Sequence, residues 1–210
     1  MTASGWLLTL VQDVLSPLPG SNSLTKALER ILERRRVRAR ELLRDALSKG
    51  AVTLSQAIHE EEAAAILYRF DRAAIEGTAT LNLRLMAEVI ANQAFIGNLV
   101  ADEFLYYAEM LGSLRREEII LIATMHRIRL NAPSQMSSDA KTEQLVSELV
   151  PRLFPDPETL RANAMACMRT GLVMDRNTMD DAGNYTTSPL MDRLEKLASF
   201  EEALRADNYS

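Results

Sequence analysis

The stretch Arg169 to Leu194, RTGLVMDRNTMDDAGNYTTSPLMDRL, decides how this chain is read. Gly171 supplies a helix stop, and Leu172 to Asp175 (LVMD) is the first run with the look of a strand. Asn184 to Thr187 (NYTT) reads as its return, with DAGN between them providing Gly183 and Asn184 for a turn. Ser188 followed by Pro189 then signals a new helix, because serine caps and proline suits the first helical turn. A small β-hairpin therefore sits between two helices near the C-terminus.

Upstream of this stretch the pattern is helical throughout. Asp156 and Pro157 repeat the cap-plus-proline signal and open a helix that reaches Thr170. A helix over roughly 140–153 turns Leu145, Val146 and Leu149 inward. Ser113 is the expected cap of LRREEIILIATMHRIRL, and NAPSQMSSD (131–139) is the most loop-like stretch. Before Gly112 come TATLNLRLMAEVIANQAFIG and NLVADEFLYYAEMLG, broken near Gly97, and before them HEEEAAAILYRFDRAAIEG, preceded by a Thr53–Gln56 capping box. Ala63, Ala64, Ala73 and Ala74 keep that last helix thin. A long helix from about Leu24 to Ser48 precedes it, with a seam of Leu24, Leu28, Ile31 and Leu42 interrupted by arginines. The first residues place Trp6, Leu7, Leu10, Val11 and Val14 at helical spacing, stopped by Pro17. No internal repeat is visible. The fold expected is all-α with one small β-hairpin: a helical region over 1–112 and a C-terminal unit over 113–210.

Three helices, a hairpin and a closing helix resemble the winged-helix superfamily. The match rests on Gly171-Leu172-Val173 and on Tyr185-Thr186-Thr187-Ser188-Pro189-Leu190, similar to a helix ending in "GL", a strand, and a "Y-x-T-x-x-G" entry to the last helix. Met191 stands where those proteins often carry glycine. The resemblance covers less than half the chain. It implies that 157–170 would be the groove-reading helix and 175–185 the wing, with Arg161, Asn163, Arg169 and Arg176 as DNA-contact candidates. The N-terminal helices bear a fainter resemblance to bacterial abortive-infection and uncharacterised helical families.

Composition bounds the function. The 210 residues are 47% apolar and 25% charged, with a net charge of -5, which suits a folded body rather than a disordered chain. From Lys26 to Lys49 nine basic residues face four acids, so this segment carries +5 and the remainder sums to -10. Arg30, Arg34 and Arg38 lie at four-residue steps, as do Arg36, Arg40 and Arg44. Like charges so spaced cost helix stability unless something anionic faces them, which makes these six the polyanion-binding candidates. Some can instead pair internally, as Glu33 with Arg36 and Glu41 with Arg44. The C-terminal region from Arg115 onward holds 12 basic and 15 acidic residues, an unfavourable balance for a DNA-facing surface.

Signals for catalysis or metal binding are weak. His59 and His126 are the two histidines, and neither lies in a metal-ligand spacing. His59 reads as a solvated helix start and His126 as a packing or surface residue. The single cysteine, Cys167, excludes an internal disulfide framework, fits a reducing compartment and reads as a small buried hydrophobe. DRNTMDDAGNYT departs from a calcium loop at Met179, Asp180 and Thr186. Asp180 and Asp181 make a poor acid–base couple, and no phosphate loop or nucleophile elbow occurs. No apolar run reaches the roughly 18 residues of a spanning helix, and MTASGWLLTLVQDVL has no basic residue ahead of its apolar run, so we expect neither span nor secretory signal. The expectation is a cytoplasmic, non-enzymatic regulatory or interaction protein that self-associates or binds another protein, with no cofactor and no small-molecule substrate. The alternatives are a DNA-binding regulator that uses the arginine-rich helix together with Arg161, Asn163 and Arg169 of the third winged-unit helix, and a phage-defence-related protein held at a membrane surface through Trp6 and the arginine-rich helix.

Overall fold

The computed structural model describes residues 23–49, 59–133, 135–175 and 185–208. The chain divides into two compact units, one of Met1–Ser113 with Leu197–Ser199 and Arg205–Ser210, the other of Leu114–Lys196 with Phe200–Leu204. Among the described residues the architecture is mostly α-helical with one two-stranded antiparallel sheet.

The first unit holds α1 (Ser23–Lys49), α2 (Glu60–Glu76), α3 (Thr80–Phe95) and α4 (Ala101–Ser113). α3 is its centre. Leu81, Leu85, Met86, Val89, Ile90 and Ala94 leave hardly any face open, so this helix is apolar almost all round. Two of its buried polar residues are partnered: Asn82 Nδ2 donates to the Leu111 carbonyl at 2.6 Å, and Glu88 Oε1 lies 3.7 Å from Lys49 Nζ. α2 begins with Glu60, Glu61 and Glu62, charges that suit the positive end of a helix dipole. It stops at Gly77, whose φ of 97° is the left-handed conformation favoured by glycine. A Cβ there would sit 3.1 Å from Arg35 Nη1, which donates to the Ile75 carbonyl at 2.8 Å. The bare glycine thus lets an α1 arginine cap the end of α2.

The second unit runs α5 (Arg116–Asn131), α6 (Ser138–Leu149), α7 (Pro157–Cys167), a 3₁₀ turn (Met168–Thr170), β1 (Val173–Asp175), β2 (Tyr185–Thr187) and α8 (Pro189–Leu197). The strands pair Val173 with Thr187, Met174 with Thr186 and Asp175 with Tyr185. Gly171, at φ 72°, ends the turn where the sequence places the stop. Asp156 caps α7 by accepting from Thr159 N at 2.7 Å, and Ser188 Oγ accepts from Leu190 N at 3.2 Å at the start of α8. Leu160, Ala164 and Cys167, with Ile119, Ile122 and Leu172, are buried in the apolar interior.

Three boundaries differ from expectation. Ser113 does not cap α5; its hydroxyl donates back to the Met110 carbonyl at 2.8 Å, and Arg115 is the cap. Glu118 fixes that start by accepting from Arg115 N at 2.9 Å, the reach-back half of a capping box. α6 starts earlier than expected, because the Ser137 side chain accepts from Ala140 N, and ends at Leu149 because Pro151 offers no donor to continue. The closing helix is two helices, α8 and α9 (Phe200–Asn208). Asn92 Nδ2 donates to the Leu197 carbonyl and Ser199 N donates to Glu88, so side chains of α3 satisfy the backbone at the break. The Trp6–Val14 segment, the Thr53–Gln56 box and the turn residues 176–184 lie outside the described residues.

Candidate functional site

Leu160, Ala164 and Cys167 face inward, so Glu158, Arg161, Ala162, Met165 and Ala166 form the outward face of α7. Met165 is 57% exposed, with Met168 exposed just beyond the helix and Met174 exposed on β1. One acid and one base flank an otherwise apolar strip. Arg161 has no acidic partner among the described residues.

Two other residues suggested for groove contact, Asn163 and Arg169, belong to a different structure. Glu118, 1% exposed, receives Arg169 Nη1 and Nη2 at 2.8 Å each in a two-pronged pair. Arg115 Nη2 lies 3.3 Å from the same carboxylate and 2.9 Å from Asn163 Oδ1. Asn163 Nδ2 in turn donates to the Thr159 carbonyl at 2.8 Å. Burial alone would raise the Glu118 pKa. The Arg169 hydrogen bonds, the Arg115 backbone N–H and the two guanidinium charges outweigh it and hold the carboxyl at about 2. Asn163 and Arg169 therefore tie α7 to the start of α5. Sequence reasoning missed Glu118 as the hub, although its position three residues after the true cap is a readable signal. Arg176 lies outside the described residues.

Cys167 is fully buried, and burial, followed by the Glu118 charge, pushes its thiol up to about 12. His59 is exposed just before α2. His126 is buried on α5, its Nδ1 3.3 Å from Arg129 Nη2 and 3.4 Å from Thr187 Oγ1. Arg129 also pairs with Asp192 of α8 and donates from Nε to Thr187 Oγ1 at 2.7 Å. Burial first, then the Arg129 charge, lowers the His126 pKa, against the pull of Asp192 and Glu201. This cluster joins α5, β2 and α8. Among the described residues no group of His, Cys, Asp and Glu is arranged to hold a metal ion.

In the first unit the arginines of α1 separate into two sets. Arg36 and Arg40 flank the buried stripe of Ala39, Leu42, Leu43 and Ala46. Arg36 Nε sits 3.3 Å from Asp71 Oδ1 on α2, and Arg40 Nη1 lies 3.6 Å from Glu33 Oε1. Burial raises Asp71, with Arg36 opposing the rise. Arg30, Arg34, Arg38 and Arg44 are exposed. Arg38 is 3.7 Å from Glu41, and the other three have no acidic partner among the described residues. A groove of about 430 Å³ opens beside the start of α1, lined by Glu29, Arg30, Leu32, Glu33, Arg36 and Ile75.

Among the described residues no helix is long and apolar enough to cross a membrane. Comparison with known proteins gave no matching family model, no similar curated protein and no similar solved structure.

Proposed function

We propose that this chain is a non-enzymatic, self-associating interaction protein of a reducing cytoplasmic compartment. In this reading its second unit is a winged-helix-like module turned to protein contact. The observation that carries it is the outward face of α7. A helix used to read a groove presents cations and amides outward. Here the outward positions are Glu158, Arg161, Ala162, Met165 and Ala166, while Asn163 and Arg169 are engaged by Arg115 and Glu118. Exposed methionine beside alanine gives an adaptable apolar surface. One acid and one base at its edge are a composition that two like surfaces can satisfy in two-fold pairing.

The order α5, α6, α7, β1, β2, α8 agrees with the winged-helix resemblance. The chemistry of the reactive side chains favours a non-enzymatic role. Cys167 is held as a thiol by burial, and His126 is enclosed by Arg129, Thr187 and Asp192. A free, buried cysteine also suits a reducing environment.

Sedimentation velocity over a concentration series tests the reading. The wild type is expected to shift to a faster species with concentration, and Met165→Glu to stay slow with an unchanged circular dichroism spectrum. A wild type that stays monomeric, or a Met165→Glu variant that associates like the wild type, overturns it.

A further inference from the structure

The arginine row of α1 has no role in the contact just described. We propose that the outward face of α1 binds the phosphodiester backbone of a nucleic acid duplex without reading its sequence. At 100° per residue, Arg30, Arg34 and Arg38 fall within an 80° arc on the side opposite Ala39 and Ala46, and Arg44 borders it. Their side chains are exposed, and each four-residue step advances about 6 Å along the axis. Arg30 to Arg38 therefore covers roughly 12 Å, the length along which one strand of a duplex presents three to four phosphates.

The acids nearby leave this row positive. Glu33 lies against Arg40, Asp71 against Arg36, and Glu41 against Arg38. On the outward face Lys26, Arg30, Arg34, Arg38 and Arg44 stand against Glu41 and Asp45, a balance of five cations to two acids. Arginines four apart repel one another in the free helix, and a line of phosphates opposite them removes that cost. A lipid surface fits this face less well. A helix lying in a membrane interface needs a broad apolar face beside its cations, whereas this row is bordered by Val37 on one side and Ile31 on the other, each about 20° outside the arc. Leu28, also exposed, points to the side of Leu42 and Ala46, away from the row. A single phosphate group calls for cations that converge, whereas these extend along an axis.

Fluorescence anisotropy of the full chain with a generic DNA duplex tests the proposal. Four phosphate contacts predict a log–log salt slope near -3.6, or roughly 100-fold weaker binding between about 50 and 200 mM salt. Arg30→Gln, Arg34→Gln, Arg38→Gln and Arg44→Gln together should abolish the slope and leave self-association by sedimentation intact. Each single change, Arg34→Gln included, should reduce the slope by about 1, which keeps the test valid if the fourfold variant melts early. Arg161→Gln on α7 should leave DNA affinity and its salt slope unchanged. Absence of salt-dependent binding by the wild type, loss of binding with Arg161→Gln alone, or equal affinity for phosphatidylserine vesicles would each overturn it.

Discussion

Replacing Glu118 by glutamine should weaken the second unit more than any exposed substitution in it. The carboxylate is 1% exposed and takes both prongs of Arg169, the Arg115 guanidinium and the Arg115 backbone N–H. Holding it at about 2 against an ordinary 4.5 corresponds to roughly 3 kcal/mol of preference for the charged, folded form. Arg169 is 44% exposed, and water recovers part of what it loses, so the expected cost of Glu118→Gln at neutral pH is about 2 kcal/mol. The folded-state pKa is depressed, so this stabilisation is complete above the ordinary value near 4.5 and disappears as pH falls through about 2. Urea denaturation followed by circular dichroism measures both quantities. The wild type and Glu118→Gln should differ in midpoint at pH 7 and converge as the pH approaches 2. A difference below roughly 0.5 kcal/mol at pH 7, or one that persists undiminished at low pH, would refute the hub as described.

His126 carries the opposite charge logic with the same sign of slope. Its folded-state pKa lies below 6.5, so the unfolded chain binds more protons, and stability holds above that value and falls as the pH drops beneath it. Urea midpoints at pH 7.5 and 5.5 should show this fall, and His126→Gln should flatten it. Cys167, pushed up to about 12, should resist iodoacetamide in the native protein at pH 8 and react once urea exposes it; quick native labelling would contradict its burial. Gly77→Ala forces a residue with a Cβ to φ 97° beside Arg35, and should lower stability by about 1 kcal/mol or more in thermal melts. An unchanged melting temperature would mean the α2 end does not need that conformation.

Much of the fold was legible because its signals are local. The Asp156–Pro157 and Ser188–Pro189 starts, the Gly77 and Gly171 stops and the LVMD–NYTT pairing each depend on a few adjacent residues; the structure places the starts and stops as read and pairs Val173–Asp175 with Tyr185–Thr187. Ends set by distant partners were less legible. The split of the closing helix depends on Asn92 and Glu88, about a hundred residues earlier in the chain. The same limit applies to the sites. Periodicity put Arg36 and Arg40 in one row with Arg44, but Asp71, thirty-five residues beyond Arg36, draws Arg36 toward α2, and Arg40 lies beside Glu33. Asn163 and Arg169 looked available for a ligand because their partners, Arg115 and Glu118, lie about fifty residues away.

Hydrogen–deuterium exchange of the full chain, compared between dilute and concentrated solution, shows which helix face two copies cover. The reading of α7 as a protein-contact face predicts slower exchange at high concentration in peptides that cover 158–168, with α1 unchanged. Exchange across 158–168 that is independent of concentration, or protection that develops on α1 instead, would contradict it.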